Sequence, residues 1–310
     1  VDPPPRLNPA QERNLALLRR TDEPVEFAAE LVAELRAEAV EALTHFTERL
    51  DGNTLFVTKH TLSSVHECEE HFMAPDEFSW SPARARGQVA HRAIQLGLSW
   101  RGEPAPVELV DEAMARLADD ERDFGRWVAA LGPADHADLR GQATERVTKF
   151  VESFPPLPAS SHPVTEAAAQ WPVDHPILLR SRVDLVVGKP RGRESTKVLI
   201  DLKTGRMSPR HREDLRFYAL IETLVREVPP RMLATFYLDS AEPVVETVTE
   251  GVLRTALRRT LDGIHHVIRL RVEGDTPTRK PGPACRWCPL SERCAEGQAY
   301  LRGPDDEIDP

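Results

Sequence analysis

With 310 residues, 40% of them apolar, the chain can bury a substantial core, and its length suits one large domain or two small ones. No run of about 18 uncharged apolar residues occurs, which argues against a membrane span and against a membrane as partner. The net charge of −10 weighs mildly against nucleic acid as a partner, although a phosphate backbone senses a local field and not a total.

Residues 1–22 are polar, rich in proline at the start, and read as a partly ordered lead-in. They lack a basic start followed by an apolar stretch, so the expected compartment is the cytoplasm. From Pro24 to Leu50, the residues Phe27, Leu31, Leu35, Val40, Leu43 and Phe46 recur at helical spacing. That spacing predicts an amphipathic helix or helix pair, with Pro24 in its first turn. In Thr61 to Phe72, hydroxyl residues can cap a short helix that carries Cys68. Helices are predicted over 83–98, containing His91, and over 106–132 and 136–153, separated by LGPAD. The proline-rich FPPLPASSHP is a loop, after which the texture changes. Residues 163–170 read as a strand, although TEAAAQ also suits a helix. ILLRSRVDLVV and KVLIDLKTG read as two strands of a hairpin, joined by the long loop GKPRGREST. A helix over 209–227, strands in MLATFYLDS and PVVETVTE, and a helix over 250–272 follow. Strands gathered in the second half, with helices before and between them, predict an α/β fold. Residues 180–216 concentrate basic side chains, among them Arg182, Arg206, Arg210 and Arg216, where a phosphate backbone can lie.

Two acidic residues interrupt apolar strands: Asp184 in RVDLVV and Asp201 in LIDLKTG, with Lys203 two positions on. Residues i and i+2 of a strand share a face, so Asp201 and Lys203 point the same way, and Asp184 can join them from the neighbouring strand. Carboxylates in such apolar runs are costly without a compensating cation. A divalent ion held by two carboxylates and a backbone carbonyl supplies one, and magnesium favours that oxygen-rich setting. A nearby lysine then orients or activates water and stabilises the charge that builds on a phosphate. D-x-K alone is a common pattern, and a strand-edge Asp–Lys ion pair accounts for it at least as well.

All four cysteines fall into one pattern: Cys68 upstream, then Cys285, Cys288 and Cys294 in CRWCPLSERC. The trio is compact enough to converge on one metal centre, and in a cytoplasmic protein metal binding is favoured over disulfides. Zinc and a [4Fe–4S] cluster both accept four thiolates, so the ligand count leaves both open. Either would close a loop of more than two hundred residues and act as a clasp.

The order of the parts is His91 in GQVAHRAIQLG, then Asp184, then Asp201-Leu202-Lys203, then a helix with DLRFYALI, all bracketed by cysteines. It resembles the PD-(D/E)xK nuclease superfamily and, within it, the RecB/AddB-like iron–sulfur branch. The resemblance implies a restriction-endonuclease-like α/β core, a central mixed sheet flanked by helices, with an N-terminal helical region and a C-terminal iron–sulfur clasp. It covers residues 61–298, divided into a helical part 61–155, a catalytic core 156–275 and a cysteine clasp 276–298. Residues 1–60 remain an N-terminal extension and 299–310 an acidic tail. It further implies that His91, Asp184, Asp201 and the Leu202 carbonyl ligate Mg2+ or Mn2+, and that Lys203 is the catalytic lysine. Cys68, Cys285, Cys288 and Cys294 would hold a [4Fe–4S] cluster in preference to zinc. Tyr218 matches the tyrosine of the family's Q-x-x-x-Y motif and is counted by the resemblance among the catalytic residues with Asp184, Asp201 and Lys203, whereas Asp214 stands at the glutamine position. The implied activity is hydrolysis of DNA, as an exonuclease on single strands or duplex ends in repair, recombination or defence, with Arg182, Arg206, Arg210 and Arg216 on the DNA. A helicase partner would be a separate protein, since no G-x-x-x-x-G-K-[ST] element is present. The alternative is a nuclease fold that binds nucleic acid without cutting it. Both aspartates and Lys203 speak against that alternative, and Asp214 speaks for it.

Overall fold

The computed structural model describes residues 6–19, 25–50, 52–75 and 78–303. The proline-rich start conceals a helix, α1 (Pro9–Leu18). Asn8 caps it by accepting from the Ala10 and Gln11 N–H groups, and the Gln11 side chain accepts from the Asn8 N–H in return. Pro24 lies outside the described residues, and α2 (Leu31–Thr47) begins later than the apolar pattern suggests. Its buried stripe is Leu31, Leu35, Ala39 and Leu43, which leaves Val40 exposed. Next come β1 (Leu55–Val57), α3 (Lys59–Glu67) and α4 (Glu69–Met73). Thr58 caps α3, and the extended backbone of Cys68 divides α3 from α4, so the single helix expected over 61–72 is two. Four helices follow: α5 (Pro82–Ser99), α6 (Pro106–Asp120), α7 (Arg122–Ala129) and α8 (Pro133–Ser153). The helix expected over 106–132 breaks at the extended Glu121.

The sheet elements are β2 (Val164–Trp171), β3 (Ile177–Val187), β4 (Val198–Lys203), β5 (Met232–Tyr237) and β6 (Glu242–Thr247). Helix α9 (Pro209–Arg226) lies between β4 and β5 in the chain, α10 (Glu250–Arg271) follows β6, and α11 (Ala295–Arg302) follows the cysteine trio. TEAAAQ is strand and not helix because it pairs antiparallel with β3, from Val164 opposite Val186 to Trp171 opposite Leu179. Among the described residues the six strands form one mixed sheet in the order β1-β3-β4-β5-β6, with β2 on the other edge of β3. Helices α2, α9 and α10 pack on one face around Leu35, Leu199, Leu220 and Ile264. Helices α5, α6 and α8 pack on the opposite face around Ala93, Val147, Ile200 and Phe236. This is the expected α/β layering of a central mixed sheet flanked by helices. No helix among the described residues is long and apolar enough to cross a membrane.

The expected β3–β4 hairpin forms, but it pairs only Leu185, Val186 and Val187 with Ile200, Leu199 and Val198. On the same edge of β3, β1 pairs in parallel with Ile177, Leu178 and Leu179. Residues 180–184 therefore have no strand partner on that edge. The carboxyl ends of β1 and β4 point into this notch from opposite directions. β1 lies just before residue 61, so the extension contributes to the sheet.

Candidate active site

Asp184 sits at the end of the notch, where the side-chain alternation of β3 slips by one residue. Val183 and Val186 both join the core on the α9 face, whereas Leu185 joins the core on the α5 face. Glu166, opposite Asp184 on β2, has a φ of 50°, a left-handed conformation that marks local strain. Such irregularities re-aim side chains out of a regular ladder. Oδ2 of Asp184 accepts the Leu202 N–H at 2.6 Å, and Nδ1 of His91 lies 3.6 Å from its Oδ1. His91 arrives from α5, which comes close to the exit of β4 because Gly87 is small. A Cβ at Gly87 would stand 3.1 Å from Thr204 Oγ1.

The Asp201 side chain is only 1% exposed and faces two ammonium groups. Lys203 Nζ is 2.6 Å from its Oδ2, and Lys59 Nζ is 3.1 Å from its Oδ1. The Lys203 contact is ionic, for Oδ2 takes no hydrogen bond, while Lys59 donates one to Oδ1. Lys59 also stands 5.1 Å from the Tyr218 ring centroid. On α9, buried Asp214 accepts from Ser63 Oγ at 2.9 Å.

The charges hold one another in place. Burial alone would raise the Asp184 carboxyl, but the His91 charge and hydrogen bond, then Lys203 and Lys59, hold it well below the usual carboxylate range. Burial disfavours the charged form of His91, yet Asp184 outweighs it and raises the imidazole. Lys59 is likewise held above the ordinary lysine range, because Asp201 and then Tyr218, Asp214 and Asp184 overcome its burial. Burial pushes Tyr218 up to about 12 and raises Asp214. Burial and then Lys203 lower His211, which lies 3.0 Å from the Tyr237 hydroxyl, to about 4.

The donor chemistry fits a hard divalent ion. The Leu238 N–H bonds the Lys203 carbonyl on the β5 side, so strand alternation turns the Leu202 carbonyl toward the notch. Buried Oδ2 of Asp201 takes no hydrogen bond and faces the Lys203 ammonium, so it is an oxygen such an ion could use in place of that contact. No three His, Cys, Asp or Glu side chains among the described residues stand at metal-holding spacing, the four cysteines included.

The structure thus brings His91, Asp184, Asp201, Leu202, Lys203 and Tyr218 together, from both faces of the sheet. Lys59 was missed, for it belongs to no motif. Its only sequence sign is the hydroxyl-rich cap of Thr58 and Thr61. The basic residues divide. Arg206 is exposed in the turn after β4, and Arg182 is exposed with Glu166 3.9 Å away. Arg210 pairs with Glu67 at 2.8 Å. Arg216 departs from expectation: its side chain is 17% exposed and is held by Glu213 and Glu246, so its charge is already matched.

Cys68, Cys285, Cys288 and Cys294 line one groove of about 1660 Å³ that also takes in His60, Arg206 and His211 beside the notch. Its basic lining, including Arg84, Lys280, Arg286 and Arg293, outnumbers Glu67 and Glu70, and Trp287 on its wall is 75% exposed. Backbone N–H groups serve two sulfurs: Gly282 to Cys285 Sγ at 3.3 Å and Gly297 to Cys294 Sγ at 3.4 Å. A Cβ at Gly297 would stand 3.3 Å and 3.5 Å from the sulfurs of Cys294 and Cys285, the first a tight contact and the second an ordinary one. The chain reaches this groove past Glu69, whose carboxylate binds the Thr278 N–H and hydroxyl at 2.8 Å each and His266 and Arg269 at 2.7 Å each.

The family model of the PD-(D/E)XK nuclease superfamily matches residues 58–295. No curated protein matches the chain. Among solved structures, a candidate exonuclease from Eubacterium rectale is similar at a TM-score of 0.45 and 10% identity, covering 78% of this chain and 89% of that one. The structure of SSO0001 is similar at a TM-score of 0.29 and 13% identity, covering 77% of this chain and 96% of that one.

Proposed function

Because the chain belongs to the PD-(D/E)XK nuclease superfamily, we propose that it is a divalent-metal-dependent deoxyribonuclease working in the notch between β1, β3 and β4. The observation that carries this reading is the meeting of Asp184 and Asp201 with Lys203 where the strands part. Asp184, Asp201, His91 and the Leu202 carbonyl would hold Mg2+ or Mn2+. When bound, that ion neutralises charge on the scissile phosphate and lowers the pKa of the attacking water. Lys203 orients the water or a phosphate oxygen, and its position 2.6 Å from Asp201 keeps the ammonium aimed at the reacting centre. Tyr218 offers its ring to the Lys59 ammonium at 5.1 Å, beside the same carboxylates.

The basic groove beside the notch supports DNA as substrate, since its field opposes the net charge of −10 locally. Arg206 and Arg286 meet the backbone, and Trp287 offers a stacking platform for a base, which favours single strands or frayed duplex ends. Exonucleolytic processing of such ends in repair, recombination or defence, beside a separate helicase, is the finer reading. Four cysteines on one groove, two of them receiving N–H donors, support a structural [4Fe–4S] cluster of the RecB/AddB-like kind in a cytoplasmic enzyme.

End-labelled single- and double-stranded DNA of both polarities, incubated with Mg2+ or Mn2+, tests the reading. Asp201→Asn and Lys203→Met should each slow cleavage by at least about a hundredfold. Variants that cut as well as the parent would sink the assignment. Anaerobic purification should give a brown protein containing iron; a colourless one with stoichiometric zinc replaces the cluster by zinc.

A further inference from the structure

Asp201 has two lysines where the proposed chemistry employs one. Lys203 is accounted for by its place two residues along β4, which leaves Lys59 to be explained. Lys59 opens α3 directly after β1, and its Nζ is the hydrogen-bond donor to Asp201 Oδ1 at 3.1 Å. A divalent ion on Asp201 and an ammonium on the same carboxylate repel each other strongly at such separations. Lys59 therefore competes with any metal for Oδ1.

A second carboxylate, Asp214, is near enough for its charge to act on Lys59. Asp214 is 8% exposed and takes the Ser63 hydroxyl, but it has no ion pair among the described residues. Lys59, Ser63 and Asp214 line the same small cavity of about 10 Å³. A glutamine at this position would offer no charge, whereas an aspartate offers a site for an ammonium. The lysine stem is flexible enough to turn between two partners on one small cavity.

We propose that Lys59 is a displaceable internal counter-ion, bound to Asp201 in the metal-free protein and moving to Asp214 when a divalent ion binds Asp201. Lys59 and Asp214 are then positioning residues that set metal affinity, and Asp214 matters through Lys59. This rests on the metal-nuclease reading above.

Calorimetric titration with Mn2+ of the parent, Lys59→Met, Asp214→Asn and the double variant tests it, with melting curves to confirm folding. Removing the competitor should tighten Mn2+ binding about tenfold, and removing the second carboxylate should weaken it about tenfold. Once Lys59 is gone, Asp214→Asn should change Mn2+ affinity by less than about twofold. Lys59→Gln, run in parallel, should change affinity in the same direction as Lys59→Met. An equal loss from Asp214→Asn with and without Lys59 overturns the proposal, as does Mn2+ binding no tighter in both Lys59 variants. A parent that binds no Mn2+ overturns the metal-nuclease reading and this proposal with it; the other two results overturn the proposal alone.

Discussion

Glu69 governs how firmly the cysteine segment is held to the rest of the molecule. It begins α4 beside Cys68, and its buried carboxylate reaches across to His266 and Arg269 on α10 and to Thr278 on the segment leading to Cys285. Burial alone would raise this carboxyl, but the two Thr278 bonds, then His266 and Arg269, hold it down to about 2 from an ordinary 4.5. At about 1.4 kcal/mol per pH unit, that depression corresponds to about 3 kcal/mol of stability at neutral pH. Because the folded value is the lower one, this stability is complete above pH 4.5 and is lost as pH falls toward 2. Glu69→Gln keeps the shape, removes the charge and turns an amide N–H toward groups that donate. Urea denaturation followed by circular dichroism should therefore show the variant less stable than the parent by about 3 kcal/mol at pH 7. The difference should shrink to about 2 kcal/mol at pH 3.5. A variant as stable as the parent at pH 7, or a deficit that does not change with pH, would refute the reasoning.

Three further outcomes are expected. Gly125→Ala should destabilise the protein by about 1–3 kcal/mol, because the new Cβ would meet the Ala118 carbonyl oxygen at 2.6 Å and the backbone between α6 and α7 cannot give way cheaply. An unchanged melting temperature would mean that the crossing is looser. Trp287→Ala should raise KM for single-stranded DNA by about tenfold, within the roughly 1–3 kcal/mol of a base–aromatic stack, and leave kcat alone. A fall in kcat with KM unchanged would remove Trp287 from strand binding. Cys288→Ser should lower both the iron content and the melting temperature; full iron loading in the variant would exclude this sulfur as a ligand.

Several features were legible in the sequence because they are local. Asp201 and Lys203 share a face through the two-residue period of β4, and the trio Cys285, Cys288 and Cys294 is close in the chain whatever the fold. From α5 onward the order of helices and strands largely followed from apolar spacing, and the hairpin of β3 and β4 from their connecting loop, whereas α1 and β1 did not. Boundaries were less legible: Thr58 and Glu121 end or begin helices through local backbone choices that apolar spacing does not register. What only the tertiary structure decided is which groups meet. β1, three residues long, has no alternation to read, yet it carries Lys59 to Asp201 across 142 positions of chain. The slip at Asp184 becomes visible only once both faces of β3 are packed, and that packing lets His91 and Asp201 approach from opposite sides of the sheet. Arg216 read as available until Glu246 on another strand neutralised it. Periodicity records a residue's own element, whereas charge pairing depends on distant elements brought together by core packing. So the sequence determined the kinds of residue available for chemistry here, and the tertiary fold decided that Lys59 stands among them, beside Asp201.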